Sequence, residues 1–220
     1  MTKEVRTAQL FERVPAYLEE FFSHHEYPWQ MLPDIGALLR RLVEEGLPGY
    51  TLVGENLLLG EGVKIHKTAT IEGLAILGHG TEVRPGAYLR GNVIVGERCV
   101  IGNSSELKNA IVLDGAQVPH YNYVGDSILG YRAHMGAGSI CSNLKGDGKP
   151  VVIRGSESYE TGLRKVGAFL GDCADVGCSC VLNPGTVIGK GTRAYPLLSL
   201  RGVFPPASII KSQTEVVAMQ

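Results

Sequence analysis

The sequence has no run of about 18 apolar residues, the minimum for a membrane-spanning helix, and none of the apolar core of a signal peptide in its opening MTKEVRTAQLF. The expectation is a soluble, cytoplasmic protein that does not act at a membrane. An excess of either charge is missing too. Lys and Arg number 21 against 22 Asp and Glu, a formal net charge of −1, which provides no basic field for nucleic acid or anionic lipid. Aromatic residues are scarce at 7%, so the core must be built from small and branched side chains. The five cysteines (Cys99, Cys141, Cys173, Cys178 and Cys180) are odd in number and lack the spacing of a secreted disulfide framework. Paired C-x2-C or His partners for zinc are also absent. Reduced, buried thiols and no metal cofactor are expected.

Glycine is abundant, with 29 in 220 residues, about twice the usual share of ~7%. Hydrophobic residues at 44% supply a core, and 20% charged residues do not suit a disordered chain. Residues 1–50 read as a helical preface. Leu10, Phe11, Val14, Leu18, Phe21 and Phe22 recur at helical spacing, with Pro15 dividing the stretch or opening a second helix. A further helix is expected from Asp34, its candidate cap, to Glu45, with Leu38, Leu39, Leu42 and Val43 on its apolar face and Gly46 closing it.

From residue 53 the period changes. Apolar residues stand at 53, 59, 65, 71, 77, 83, 89, 95, 101 and 107, then after a slip of one at 112, 118 and 124. A second slip gives 129, 135 and 141, and the spacing of six returns at 170, 176, 182, 188, 194 and 200. Such hexapeptide periodicity is the signature of a parallel β-helix, an all-β solenoid. Three repeats make one triangular coil with its apolar residues pointing inward. One coil gains about 5–9 kcal/mol from three buried side chains, while ordering costs about 1–2 kcal/mol per residue. Coils must therefore stack, and the helical preface is the candidate cap for one end. The expected organisation is a preface at 1–50, a β-helix at 51–210 and a tail at 211–220.

The period breaks once, at about 142–169, where the turn cluster Gly146-Asp147-Gly148-Lys149-Pro150 opens a polar insertion. A single loop in a regular solenoid is a candidate functional element. Chemistry-bearing residues concentrate just before it: Glu106, Lys108, His120, Tyr121, Asn122, Tyr123, Asp126 and His134 all fall between 103 and 143.

The run VPHYNYVGDSILG followed by GAGSICSN, with NSSELKN before and GLRKVGAFLGD after, resembles the C-terminal acetyltransferase domain of the bifunctional enzymes that make UDP-N-acetylglucosamine, especially archaeal-type members and stand-alone relatives. The likeness covers roughly 83–205 and is most specific at 118–143. It implies left-handed winding, a homotrimer with sites between subunits, and N-acetylation of an amino-sugar 1-phosphate by acetyl-CoA. His120 matches the general base, and an imidazole suits removal of a proton from an amine. Ala137 matches the backbone N–H that stabilises the tetrahedral oxyanion. Tyr123, Lys108, Asn143 and Lys149 match sugar-phosphate ligands, and Arg84 resembles a further one. Asp172 stands where the coenzyme region has a serine, His134, expected to line the substrate pocket, where the motif has an asparagine, and Leu144 where it has a tyrosine. These departures leave galactosamine-1-phosphate or a nucleotide-linked amino sugar as admissible an acceptor as glucosamine-1-phosphate.

The resemblance also sets exclusions and an alternative. Residues 1–50 hold no Gly-rich phosphate loop, so uridyl transfer is not expected of this chain by itself. A carbonic anhydrase on the same scaffold needs three His ligands, two of them close in sequence, and His66, His79, His120 and His134 never fall five apart. The alternative is a non-catalytic regulatory protein that keeps a sugar-phosphate or coenzyme pocket.

Overall fold

The computed structural model describes residues 5–219; the first four residues of the terminus read above for a leader lie outside them. Two short helices, α1 (Thr7–Leu10) and α2 (Ala16–His24), flank Pro15, which occupies the N-cap of α2. After a 3-10 turn at Pro28–Met31 comes α3 (Ile35–Glu45), closed by Gly46 at φ 76°. Asp34 precedes α3 as expected, but its side chain caps nothing. Its own backbone is already helical at φ −96°, ψ −10°, and its carboxylate lies instead 3.1 Å from His25 Nε2.

The rest of the chain is a parallel β-helix of three faces. The first carries Leu57–Gly60, Ala75–Leu77, Val93–Val95 and their successors. The second runs from Lys64–Ile65 through Gln117–His120 to Ser208–Ile210. The third runs from Thr70–Glu72 through Tyr88–Arg90 to Ser199–Leu200. The inward positions stack in register, as in Leu59↔Leu77↔Val95↔Val112↔Leu129↔Leu170↔Ile188, and from Leu77 upward they are fully buried.

Val53, read as the first inward position, is an exception. It lies on an antiparallel strand, Tyr50–Val53, outside the first coil and is exposed. The inward residues of the first coil have no coil beneath them: Leu59 and Ile71 are half-buried and Ile65 is exposed. At the other end the chain doubles back, and Val216–Ala218 pairs antiparallel with Ser208–Ile210.

The preface does not cap an end; it lies along a flank. Each strand of the first face presents a second apolar residue outward, forming the column Leu58, Ile76, Ile94, Ile111, Ile128, Phe169 and Val187. Leu10, Leu18, Met31, Ile35 and Leu39 pack on it and bury it. At about 1.5–3 kcal/mol per buried side chain this contact is a second hydrophobic core. The insertion joins it through a hairpin, Val152–Arg154 with Ser158–Glu160. Val151, Ile153 and Val166 are fully buried there, and Tyr159 meets Tyr27 and Trp29 with ring centroids 5.5 and 5.8 Å apart.

The two slips in the period are corners shortened by one residue. An ordinary corner between the third and first faces reads Arg90-Gly91-Asn92, with φ 67° at Gly91 and 53° at Asn92. The next two coils turn with one left-handed residue each, Asn109 at 48° and Asp126 at 47°. Their strands, Glu106–Val112 and Tyr123–Leu129, run unbroken across both faces. Asn and Asp tolerate this conformation better than other side chains.

Candidate active site

The shortened corners gather a polar cluster. Lys108 pairs with Gly125 of the next coil, which brings its ammonium to Asp126: Nζ is 3.0 Å from Oδ1 and 3.3 Å from Oδ2. Asn109 donates to Oδ1 at 3.0 Å and Asn143 to Oδ2 at 2.5 Å. Asn143 also donates to the Tyr123 hydroxyl at 3.1 Å, and Asn109 to the Leu32 carbonyl of the preface at 3.1 Å. Asp126 is only 4% exposed, so its charge is met by donors on every side, as a buried carboxylate requires. Gly125 makes the approach possible: a Cβ there would stand 2.3 Å from Tyr123 Oη and 2.8 Å from Asn143 Nδ2. Burial, with Asp126 beside it, pushes the Tyr123 phenol above its ordinary value, so it stays protonated near neutrality.

Three residues before Tyr123 in the chain, the adjoining corner holds His120. Asn122 fixes that corner from inside. It is 3% exposed, accepts from His120 N at 3.0 Å, and donates to the carbonyls of Gly136 and Ser139 at 2.8 and 3.1 Å. Tyr121, between them, is left-handed at φ 51° and 63% exposed. His120 is exposed, and its ring has no hydrogen-bond partner among the described residues. Continuing the register Gln117↔His134 by three places Ala137 over His120, and Gly138 N donates to His120 O at 3.0 Å. The Ala137 N–H has no protein acceptor among the described residues and so remains a donor for a ligand.

The other expected site residues lie apart. His134 is half-buried on the second face, with Nδ1 2.8 Å from Asp175 Oδ1. Arg84 lies two coils below Pro119, its Nε 3.3 Å from Glu82 Oε1. Lys149 is exposed in the insertion and meets Asp147 through its backbone alone, at 3.0 Å.

Asp172 is engaged by the preface. Its carboxylate accepts from the backbone N–H groups of Glu12 (2.9 Å), Arg13 (3.1 Å) and Tyr131 (2.8 Å), while its own N–H donates to Leu10 O at 2.9 Å. Burial raises its pKa, against the lowering effect of those donors.

Asn109 and Asn122 carry no role in the sequence reading. Asn109 was detectable as the residue at which the period slips, and Asn122 only as one of the polar residues concentrated between 103 and 143. Cys99, Cys141 and Cys180 are buried as expected, whereas Cys173 and Cys178 are exposed because they occupy corners. No group of three or more His, Cys, Asp or Glu among the described residues is arranged to hold a metal ion.

Fold and periodic core together place the chain among the hexapeptide-repeat β-helix proteins. A family model described as the GMPPB C-terminal domain matches residues 71–158. The sequence is similar to bifunctional GlmU proteins of archaea. It is 35% identical to that of Methanococcus aeolicus over 147 residues, covering 59% of this chain and 36% of the relative. For Methanococcus maripaludis the figures are 32% over 178 residues, 80% and 43%. The chain thus spans less than half the length of these relatives. Among solved structures, a perosamine N-acetyltransferase from Caulobacter crescentus, in complex with CoA and GDP-perosamine, aligns at 17% identity and a TM-score of 0.42, over 79% of this chain and 70% of that one.

Proposed function

We propose that this chain is an acyltransferase that moves the acetyl group of acetyl-CoA onto the amine of an amino-sugar 1-phosphate, with glucosamine-1-phosphate and galactosamine-1-phosphate as first candidates. The observation that carries the reading is an exposed His120 with a spare donor at Ala137 N on the next coil, beside a Lys108–Asp126–Asn143–Tyr123 cluster that spans the same three neighbouring coils. His120 takes a proton from the acceptor amine as its nitrogen attacks the thioester carbonyl. The Ala137 N–H donates to the oxyanion that forms, and the intermediate collapses with the thiolate as leaving group. Tyr123 and the Lys108 hydrogen not committed to Asp126 receive the sugar and its phosphate.

The relatives' resemblance favours a homotrimer, in which Arg84 or Lys149 of one subunit completes the site of another. Purified protein would be incubated with acetyl-CoA and a panel of amino-sugar 1-phosphates, with products followed by mass spectrometry. An acetylated product from one sugar supports the reading and names the acceptor. Absence of product from every sugar, with acetyl-CoA unable to bind, removes it.

A further inference from the structure

The helical preface and the polar cluster meet along one column of the solenoid. Asn92, Asn109 and Asp126 stack on three successive coils at the corner between the third and first faces. All three are left-handed, with φ 53°, 48° and 47°. The preface runs against this column. Gly36 of α3 lies so near Asn92 that a Cβ there would stand 3.0 Å from Asn92 Nδ2. One coil higher, Asn109 Nδ2 donates to the Leu32 carbonyl at 3.1 Å, and on the coil above that Asp126 holds Lys108.

Asn109 links the two. Its amide nitrogen carries two hydrogens. One goes to Leu32 O and the other to Asp126 Oδ1 at 3.0 Å, the oxygen that Lys108 Nζ also approaches at 3.0 Å. Among the described residues no other side chain of the cluster donates to the preface. Packing alone does not fix the Asn109 amide. The residue is half-buried, and a cleft of about 220 Å³ opens beside it, between Leu32 and Pro33 of the preface and Leu163 to Lys165 of the insertion. Leu32, in contrast, is 3% exposed and ends the 3-10 turn, its N–H bonded to Trp29 O at 3.3 Å. Its carbonyl is a fixed acceptor that aims a loosely packed amide at one oxygen of Asp126.

We propose that Asn109 is a positioning residue for the acceptor site, through which the preface sets how firmly Asp126 holds Lys108. Hydrogen bonds and nearby cations compete for the same charge on a carboxylate oxygen. With Asn109 in place, a neutral donor meets part of the charge on Oδ1, and the Lys108 ammonium keeps more of its own field for a phosphate. Without it, Asp126 closes on Lys108 and neutralises it more completely, so an anionic acceptor binds less well. The His120–Ala137 corner makes no contact with Asn109, and the acyl-transfer step itself is unaffected. This role rests on the acyl-transfer reading in one respect, that Lys108 receives the acceptor's phosphate.

The test compares the full-length parent with Asn109→Gly, Asp126→Asn and the double variant. Glycine keeps the left-handed corner without strain and removes both hydrogen bonds. Ile188→Val, fully buried and two coils above the Asp126 strand, is the control for a general loss of stability. Calorimetric titration with glucosamine-1-phosphate and galactosamine-1-phosphate gives binding constants, and acetyl transfer gives kcat and KM. Asn109→Gly is expected to weaken binding roughly threefold to tenfold and to raise KM by the same factor, with kcat at the parental value. In the Asp126→Asn background the same substitution should change binding less than about twofold, because no carboxylate charge remains to be shared. Ile188→Val should bind as the parent does.

Parental binding by Asn109→Gly overturns the role. Equal weakening in both Asp126 backgrounds, or in the Ile188→Val control, overturns it as well. A parent that binds neither sugar phosphate also overturns it, since Lys108 then receives no phosphate. Binding that depends on Asn109 through Asp126, without acetyl transfer to any sugar, leaves the positioning role standing and removes the acyl-transfer reading. Acetyl transfer by Asn109→Gly at the parental KM does the reverse.

Discussion

Asp126 offers two substitutions that separate its charge from its shape. Asp126→Ala removes the acceptor that Lys108, Asn109 and Asn143 share and leaves three donors facing a cavity at a nearly buried position. Breaking such a charged network by removing one partner costs about 3–5 kcal/mol. Lys108 is 25% exposed and recovers some hydration, which places the expectation near the lower end, about 3 kcal/mol. Asp126→Asn behaves differently. The oxygen of the introduced amide still accepts from Lys108 and Asn109. A turn of the Asn143 amide lets its own oxygen accept from both the introduced NH2 group and the Tyr123 hydroxyl. Hydrogen bonds survive while the negative charge is lost, so the stability cost should be about 1 kcal/mol. The Lys108 charge is then no longer neutralised, and a phosphate-bearing acceptor should bind severalfold more tightly, with a lower KM. Urea denaturation and titration of glucosamine-1-phosphate against parent and both variants would check this. Equal stability for the two variants, or weaker sugar-phosphate binding by Asp126→Asn, would refute the picture of Lys108 as a phosphate ligand held in reserve by Asp126.

Three further outcomes follow from the same structure. Asp172→Ala should release the preface, since it leaves the N–H groups of Glu12, Arg13 and Tyr131 without their acceptor; a loss of about 2–4 kcal/mol and faster proteolysis within residues 5–50 are expected. Phe169→Ala, in the column under the helices, should cost about 3–5 kcal/mol in thermal or denaturant unfolding. In the native protein only Cys173 and Cys178 should react quickly with a thiol reagent. Cys99 and Cys141, whose thiols burial pushes up to about 12, should stay silent into the alkaline range until the protein unfolds.

The core of the solenoid was legible because its period of six is enforced by sterics: every inward position from Leu77 to Leu200 meets the same closed interior. Val53 matched the period by coincidence, since an isolated apolar residue before the first coil satisfies the spacing without belonging to the ladder. The resting place of the helices was also written in the chain, as doubled apolar pairs such as Ile76-Leu77, Ile94-Val95 and Ile111-Val112 recurring once per coil. A reading at period six hides a signal at period eighteen. The slips, which look like mere irregularities in the sequence, build the Lys108–Asp126 cluster. The donors to Asp126 lie 17 or 18 residues from it, and pairing at that distance depends on coil length, which only the backbone shows. The anchoring part that Asp172 plays was hidden for a related reason. Its partners in the preface are backbone N–H groups 159 and 160 residues earlier, and no side-chain pattern marks them.

The central claim is that the His120–Ala137 corner performs acyl transfer. It is tested most directly by the rate of acetyl transfer from acetyl-CoA to the acceptor that the parent protein accepts, measured beside His120→Ala. An exposed imidazole with no structural partner can be removed without harm to the fold, so both proteins should melt alike and bind CoA alike. The account predicts that kcat falls by about a hundredfold or more in the variant. Turnover by His120→Ala at the parental rate would contradict it and would place the chemistry elsewhere on the solenoid.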